Sequence, residues 1–418
     1  MDKKPAPAAE SLQPVPNWLL NLALVVLSLL FAVGIAEIVG RYVYPVRTIT
    51  KVLDRELLFA PVPESRKIFH RDPANGKETV WMRFNSHGHR GPDRPLMSGS
   101  RIVVYGDSFI EAEYSKEENT FSGRLEKDLA TAFGRDFQVI NAGVSGYGPD
   151  QALKRIERDL PATKPDFLLL SIYTGNDYGD LLRNKLFLRT PDGSLADHQP
   201  KISEALVAEF ADAEKKSKRL KTRAIVAELK QILRSAFSNK PPQGQAVANS
   251  IDEWKRWLGQ REAEYVQLAK EGDRTVHNLF NDGFDADIAT EPSSPSARYK
   301  AELMRDFLRL AKLRLAKSGV PFAVMVVPAP MDACENYDWS ADRAAFPFYD
   351  RHALTRIATE AARDAGISVI NLFDVLATKD CNTYFFHYGD AHWSDRGQAV
   401  AAAEVASALK RFGGAPFR

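Results

Sequence analysis

Ser108, His392 and Asp390 have the residue types and spacing that covalent acyl chemistry needs. A serine hydroxyl is a weak nucleophile until a base takes its proton, and an imidazole titrating near neutrality suits that task. Asp390, two positions before His392, is placed to accept the other ring N–H, fix the tautomer and stabilise the imidazolium. A tetrahedral intermediate also needs donors aimed at its oxyanion. The N–H groups of Ser108 and Gly143 and the side chain of Asn176 are the candidates, each worth roughly 3–4 kcal/mol when such a donor is removed.

These residues lie far apart along the chain, so a fold must gather them. Ser108 follows the β-branched run Arg101–Tyr105, and Gly143 follows Phe137–Ile140. Gly175-Asn176-Asp177 closes the run Phe167–Tyr173, and Asp390-Ala391-His392-Trp393 precedes the last helix-patterned stretch, Asp395–Phe412. Further apolar runs, Phe322–Val327 and Ile367–Leu372, alternate with helical patterns at 297–317 and 351–365. Near-continuous apolar strands alternating with helices predict a doubly wound, flavodoxin-like α/β fold, with five parallel strands and helices on both faces. In such a sheet the carboxyl ends of the strands share one rim, where ligands bind.

Gly106-Asp107-Ser108-Phe109, Gly143, Gly175-Asn176-Asp177 and Asp390-x-His392 resemble the four blocks of the SGNH (GDSL-like) hydrolase superfamily over about 101–184 and 297–412. Asn85-Ser86-His87-Gly88-His89-Arg90-Gly91 is similar to a lead-in of its membrane-anchored bacterial members. The resemblance implies Ser108 as nucleophile, His392 as base, and Gly143 and Asn176 as oxyanion donors, with no cofactor. Two departures stand out. Gly175 adjoins Asn176 directly, and a single residue separates Asp390 from His392, an Asp-x-His-Trp arrangement similar to alginate-type O-acetyltransferases. The implied substrate is an acylated carbohydrate or lipid. A non-catalytic member keeping the fold as a scaffold in envelope polysaccharide assembly is the alternative.

The chain has 418 residues, with 56 basic and 54 acidic side chains, so no strong net field draws it to nucleic acid. Trp18–Ala36 is free of charge and approaches the ~20 residues of a bilayer-spanning helix. Residues 18–40 are expected to be an uncleaved anchor behind a cytoplasmic tail, 1–17. A cleaved signal peptide is the competing reading, with Gly34 and Ala36 as its small residues. Residues 41–100 read as stalk and lead-in. Hydrolase parts at 101–185 and 297–418 flank a helical insertion, 186–296. Flanking positive charge does not orient the span; the expected external catalytic domain, at a single-pass inner membrane, rests on envelope substrates. Protein partners are not legible in the sequence.

Several other residues have plainer readings. Asp107 is expected to be a turn carboxylate, Asp177 a helix-start cap, and His87 and His89 loop histidines rather than metal ligands. His387 is a reserve base. Trp254 and Trp257 are expected to pack the insertion, and the six basic residues within 215–223 to form a solvated face. Cys334 and Cys381 are either bridged in an oxidising compartment or two buried thiols.

Overall fold

The computed structural model describes residues 16–43, 50–69, 79–95, 99–217, 250–279, 283–387 and 390–412. It divides into two units. In the first lies helix α1, Asn17–Val43, long and apolar enough over Asn17–Gly40 to cross a bilayer, a test that a signal sequence also passes.

The second unit is built on the expected sheet. Small antiparallel pairs come first: β1 (Lys51–Asp54) with β2 (Leu58–Pro61), and β3 (Arg66–Phe69) with β4 (Val80–Arg83). The main strands begin with β5 (Ser100–Gly106), β6 (Phe137–Gly143) and β7 (Phe167–Tyr173). After two short pairs in the insertion, β8–β9 (Phe187–Arg189, Leu195–Asp197) and β10–β11 (Lys201–Ile202, Thr275–Val276), come β12 (Phe322–Val327) and β13 (Ser368–Asn371). The order β13-β12-β7-β5-β6 is parallel throughout. Ile102, Val104, Leu169, Ile172, Val324 and Val326 are fully buried, the reason these strands read as unbroken apolar runs. Helix α3 (Phe121–Phe133) packs with the last helix, Asp395–Arg411. Helices α4 (Pro149–Thr163) and α5 (Asp177–Asn184), with Pro295–Ala316 and Ala353–Asp364, form the other helical group. The doubly wound class is borne out.

Register fixes the rim. Gly106 pairs with Gly143 and Tyr173 with Val327, while Tyr105 pairs with Leu170, so β7 and β12 run past the ends of β5 and β6 on the same edge. The chain leaves β5 for β6 on one side and returns to β7 on the other, which opens a crevice at the carboxyl end of β5.

Residues 50–69 and 79–95, read from the sequence as stalk and lead-in, are built into this unit. Leu57, Leu58 and Phe59 are buried in the main core, where Tyr147 Oη donates to Phe59 O at 2.8 Å and Gln151 Nε2 to Leu57 O at 2.7 Å. Short elements with few long apolar periods gave no sequence signal of this packing. The insertion is helical in part, at Glu204–Ser217 and Ser250–Tyr265, but also contributes β8 to β11. Trp254 and Trp257 are buried against Phe284, and Trp254 also meets Tyr349, as a packing role requires. Residues 218–249 of the expected helical insertion, with most of the basic cluster, lie outside the described residues.

Candidate active site

Asp107 ends the β5 turn and caps the single helical turn α2, Ser108–Glu111. Its Oδ1 accepts the Phe109 N–H at 3.0 Å, the turn role expected of it. Ser108 is therefore the first helical residue, its own N–H left over by helical pairing. Its side chain is half-buried, between buried neighbours.

Opposite it stands His392. Nε2 lies 2.7 Å from Ser108 Oγ, and Nδ1 lies 2.7 Å from Asp390 Oδ1, so hydroxyl, imidazole and carboxylate form one hydrogen-bonded line. Asp390 Oδ1 also accepts the His392 N–H at 3.1 Å, which locks the carboxylate to the loop it orients. The ring rests against Phe109 at 5.2 Å between centroids, with Tyr114 edge-on at 6.5 Å. Burial pulls the His392 pKa down, but the hydrogen bond and charge of Asp390, with Asp107 and Glu113 beyond, outweigh it and leave the pKa above its ordinary value.

The histidine loop is held from several sides. Phe386 N–H donates to His392 O at 2.8 Å, and Tyr337 Oη donates to the backbone oxygens of Phe386 and of Asp390. Trp393 is buried edge-on against Phe109. Cys334 and Cys381 form a disulfide across 47 residues, joining the loops that follow β12 and β13. In the chain-entropy view a closure of that length contributes about 4 kcal/mol. A Cys334→Ser/Cys381→Ser variant is accordingly expected to lose 2–4 kcal/mol of stability. Chemical denaturation of the wild type with and without reductant checks it.

The candidate donors sit on the same rim. Asn176 occupies the N-cap position of α5 yet makes no capping hydrogen bond, and among the described residues its buried Oδ1 has no partner. Its carboxamide is therefore not used by the helix. Gly143 lies under α2, where a Cβ would come 2.4 Å from the Glu111 nitrogen, so only glycine fits. Its N–H donates to Asn141 Oδ1 at 3.1 Å, so stabilising an oxyanion would require it to be shared with Asn141. Asp177, expected to cap α5, is instead its first residue, and its Oδ2 accepts the Tyr173 N–H at 2.8 Å. Burial, with Asp107 and Asp180 nearby, pushes its carboxyl far above the ordinary range.

Five supporting residues carried no sequence signal of their role. Arg90 of the lead-in is buried and donates to the carbonyls of Glu111, Ala112 and Ser115, which anchors the end of α2. Burial brings its pKa down to about 10, so it stays charged. Arg90→Met is expected to leave these buried carbonyls short of donors at a cost of about 3 kcal/mol, read from urea unfolding. Asn141 Nδ2 donates to Ile110 O at 2.6 Å, and Glu111 Oε2 accepts the Ser145 N–H at 2.8 Å, tying α2 to the β6 loop. Asp285 fixes the third loop, donating its N–H to Gly175 O at 2.8 Å and accepting the Gly179 N–H at 2.9 Å. Lys300 Nζ neutralises that buried carboxylate from 2.8 Å.

The other three histidines singled out in the sequence are occupied elsewhere. His387 is held by Asp338 and Asn382 O, and His89 pairs with Asp159 at 2.8 Å while His87 stacks on it. Among the described residues no cluster of ligands could hold a metal ion.

Residues 284–416 match the model of a family described as an SGNH hydrolase-like domain of the acetyltransferase AlgX. The chain thus resembles the SGNH superfamily, with a likeness to AlgX. Among solved structures, an acetylxylan esterase from Geobacillus stearothermophilus, a catalytic mutant of Axe2, is 12% identical with a TM-score of 0.37, covering 78% of this chain and 99% of its own. A lipase/acylhydrolase from Enterococcus faecalis is 13% identical at a TM-score of 0.31, covering 75% and 96%. An acetyl xylan esterase, AlAXEase, is 13% identical at 0.36, covering 74% and 99%. Likeness of this degree says nothing about activity. No curated protein matches the sequence.

Proposed function

We propose that the chain is a membrane-anchored serine esterase or O-acyltransferase of SGNH type, acting on acyl, chiefly acetyl, esters of an envelope or exported carbohydrate. The observation that carries this reading is the line Ser108 Oγ–His392 Nε2, His392 Nδ1–Asp390 Oδ1, with 2.7 Å at each step. As Oγ attacks the ester carbonyl, its proton passes to Nε2, and Asp390 steadies the imidazolium. The oxyanion is held by the Ser108 N–H and the Asn176 carboxamide, with Gly143 joining when its N–H turns from Asn141. Imidazolium then protonates the leaving alkoxide, leaving an acyl ester on Ser108. Water attacking that ester, deprotonated by Nε2, completes hydrolysis; a sugar hydroxyl in its place completes transfer.

Helix α1 as anchor and the Cys334–Cys381 bond both support a catalytic unit outside the cytoplasm, where disulfides persist. Turnover of p-nitrophenyl acetate by the full chain in detergent, with and without an oligosaccharide acceptor, tests the proposal. Acetate release alone marks an esterase, and acceptor acetylation at its expense marks a transferase. Absence of both refutes it.

A further inference from the structure

The loop that follows β7 carries Asn176, and the direction of its carboxamide is set by the backbone on either side, since among the described residues Oδ1 has no partner. That backbone is held closely. Thr174 donates its N–H and its hydroxyl to Val327 O, at 2.9 and 3.1 Å. The Tyr173 ring packs onto Gly175, 2.4 Å from where a Cβ would stand. Asp285, just before the short helix Ala286–Thr290, adds a further grip. Its N–H reaches Gly175 O at 2.8 Å, and its Oδ2 accepts the Gly179 N–H at 2.9 Å. One residue thus brackets Asn176, holding the chain one position before it and three positions after it.

The bracket is itself held by buried charge. Asp285 and Lys300 are buried, and Lys300 Nζ lies 2.8 Å from Asp285 Oδ1 and 2.6 Å from Asp287 Oδ1. Arg261, buried on the insertion helix Ser250–Tyr265, donates to Gly283 O at 2.6 Å and stands 3.9 Å from Asp285 Oδ1. Three residues on, Glu264 pairs at 3.2 Å with Arg183 of α5, which also closes on Asp180. Buried ion pairs are a weak source of net stability, and fixing one geometry among several is their better-attested use. The insertion helix and the loop carrying Asn176 are parts of one buried network.

We propose that Asp285 is a positioning residue for acyl transfer: it sets the Asn176 carboxamide for the oxyanion, and Lys300 and the insertion's Arg261 hold it in place. This rests on the acyl-transfer reading. The experiment uses the full-length protein in detergent, with kcat and KM for p-nitrophenyl acetate and thermal unfolding measured on each variant. Asn176→Ala removes the donor and is expected to lower kcat about 10²-fold or more. Asp285→Ala is expected to lower kcat about 10- to 100-fold with KM little changed, as when a group that acts only in the transition state is displaced. Gly179→Ala is the second variant, for the case that Asp285→Ala does not fold. It keeps every charge, yet its Cβ would stand 3.0 Å from Asp285 Oδ1 and 2.6 Å from Arg183 Nη1, so it disturbs the same bracket.

The decisive readout is a double-mutant cycle. In an Asn176→Ala background either change is expected to cost less than about twofold, because a donor already removed cannot be displaced. Losses that multiply in full overturn the proposal, since Asp285 would then act on the fold and not through Asn176. So does an unchanged kcat in Asn176→Ala, or the full rate in both Asp285→Ala and Gly179→Ala. Those three outcomes leave the acyl-transfer reading standing, whereas a wild type without ester turnover refutes that reading and this proposal together.

Discussion

Replacing Ser108 by alanine is expected to lower kcat for an acetyl ester at least about 10⁴-fold, and replacing His392 by alanine to do nearly the same. The two side chains form one unit, since Oγ becomes nucleophilic only as Nε2, 2.7 Å away, takes its proton. Their effects are therefore not additive, and the double variant is expected to match the worse single one. Neither change disturbs a buried core group, because Ser108 is half-buried and the His392 side chain is 35% exposed. Thermal unfolding near that of the wild type would separate lost chemistry from lost fold. Asp107→Asn is the contrast. Its oxygen still accepts the Phe109 N–H, so a measurable fraction of activity is expected to remain.

The second large effect belongs to Asp390. Asp390→Asn is expected to lower kcat by about 10³–10⁴, because a carboxamide that donates to Nδ1 favours the tautomer with its proton on Nε2, the wrong one for a base. This variant also has a pH signature. The base must be neutral to act, so activity rises as pH climbs through the His392 pKa. Asp390 holds that pKa above its ordinary value, so the wild type's acidic limb lies at higher pH than an unperturbed histidine would give. Removing the carboxylate charge removes the upward pull while burial still presses downward. The limb of the residual activity is therefore expected to move to lower pH, and kcat/KM measured from pH 4 to 9 reads it directly. A limb that stays in place would mean that another group sets it.

What the sequence disclosed follows from how each feature is encoded. The parallel strands were legible because burial on both faces demands unbroken apolar runs, as in Arg101–Tyr105 and Phe167–Tyr173. Ser108, Asn176, Asp390 and His392 stood out because each follows a strand or precedes a helix on a rim that any doubly wound sheet must form. The bracing of that rim is long-range and leaves no periodic trace. Arg90 reaches three carbonyls more than twenty positions away, and Asp285 grips Gly175 from near the far end of the insertion. Two cysteines alone could not announce a bond, since a buried thiol and half a bridge look the same in one dimension. The lead-in was underestimated for a related reason: its strands are four residues long, too short for a two-residue period to register.

The central claim is that an ester forms on the Ser108 oxygen, and peptide mass spectrometry after rapid acid quenching of a p-nitrophenyl acetate reaction tests it most directly. An acetyl group on the peptide carrying Ser108, rising and decaying with turnover and missing from the Ser108→Ala and His392→Ala variants, is the result expected. Turnover at full rate with that peptide unmodified, or with the acetyl group on another side chain, would contradict it.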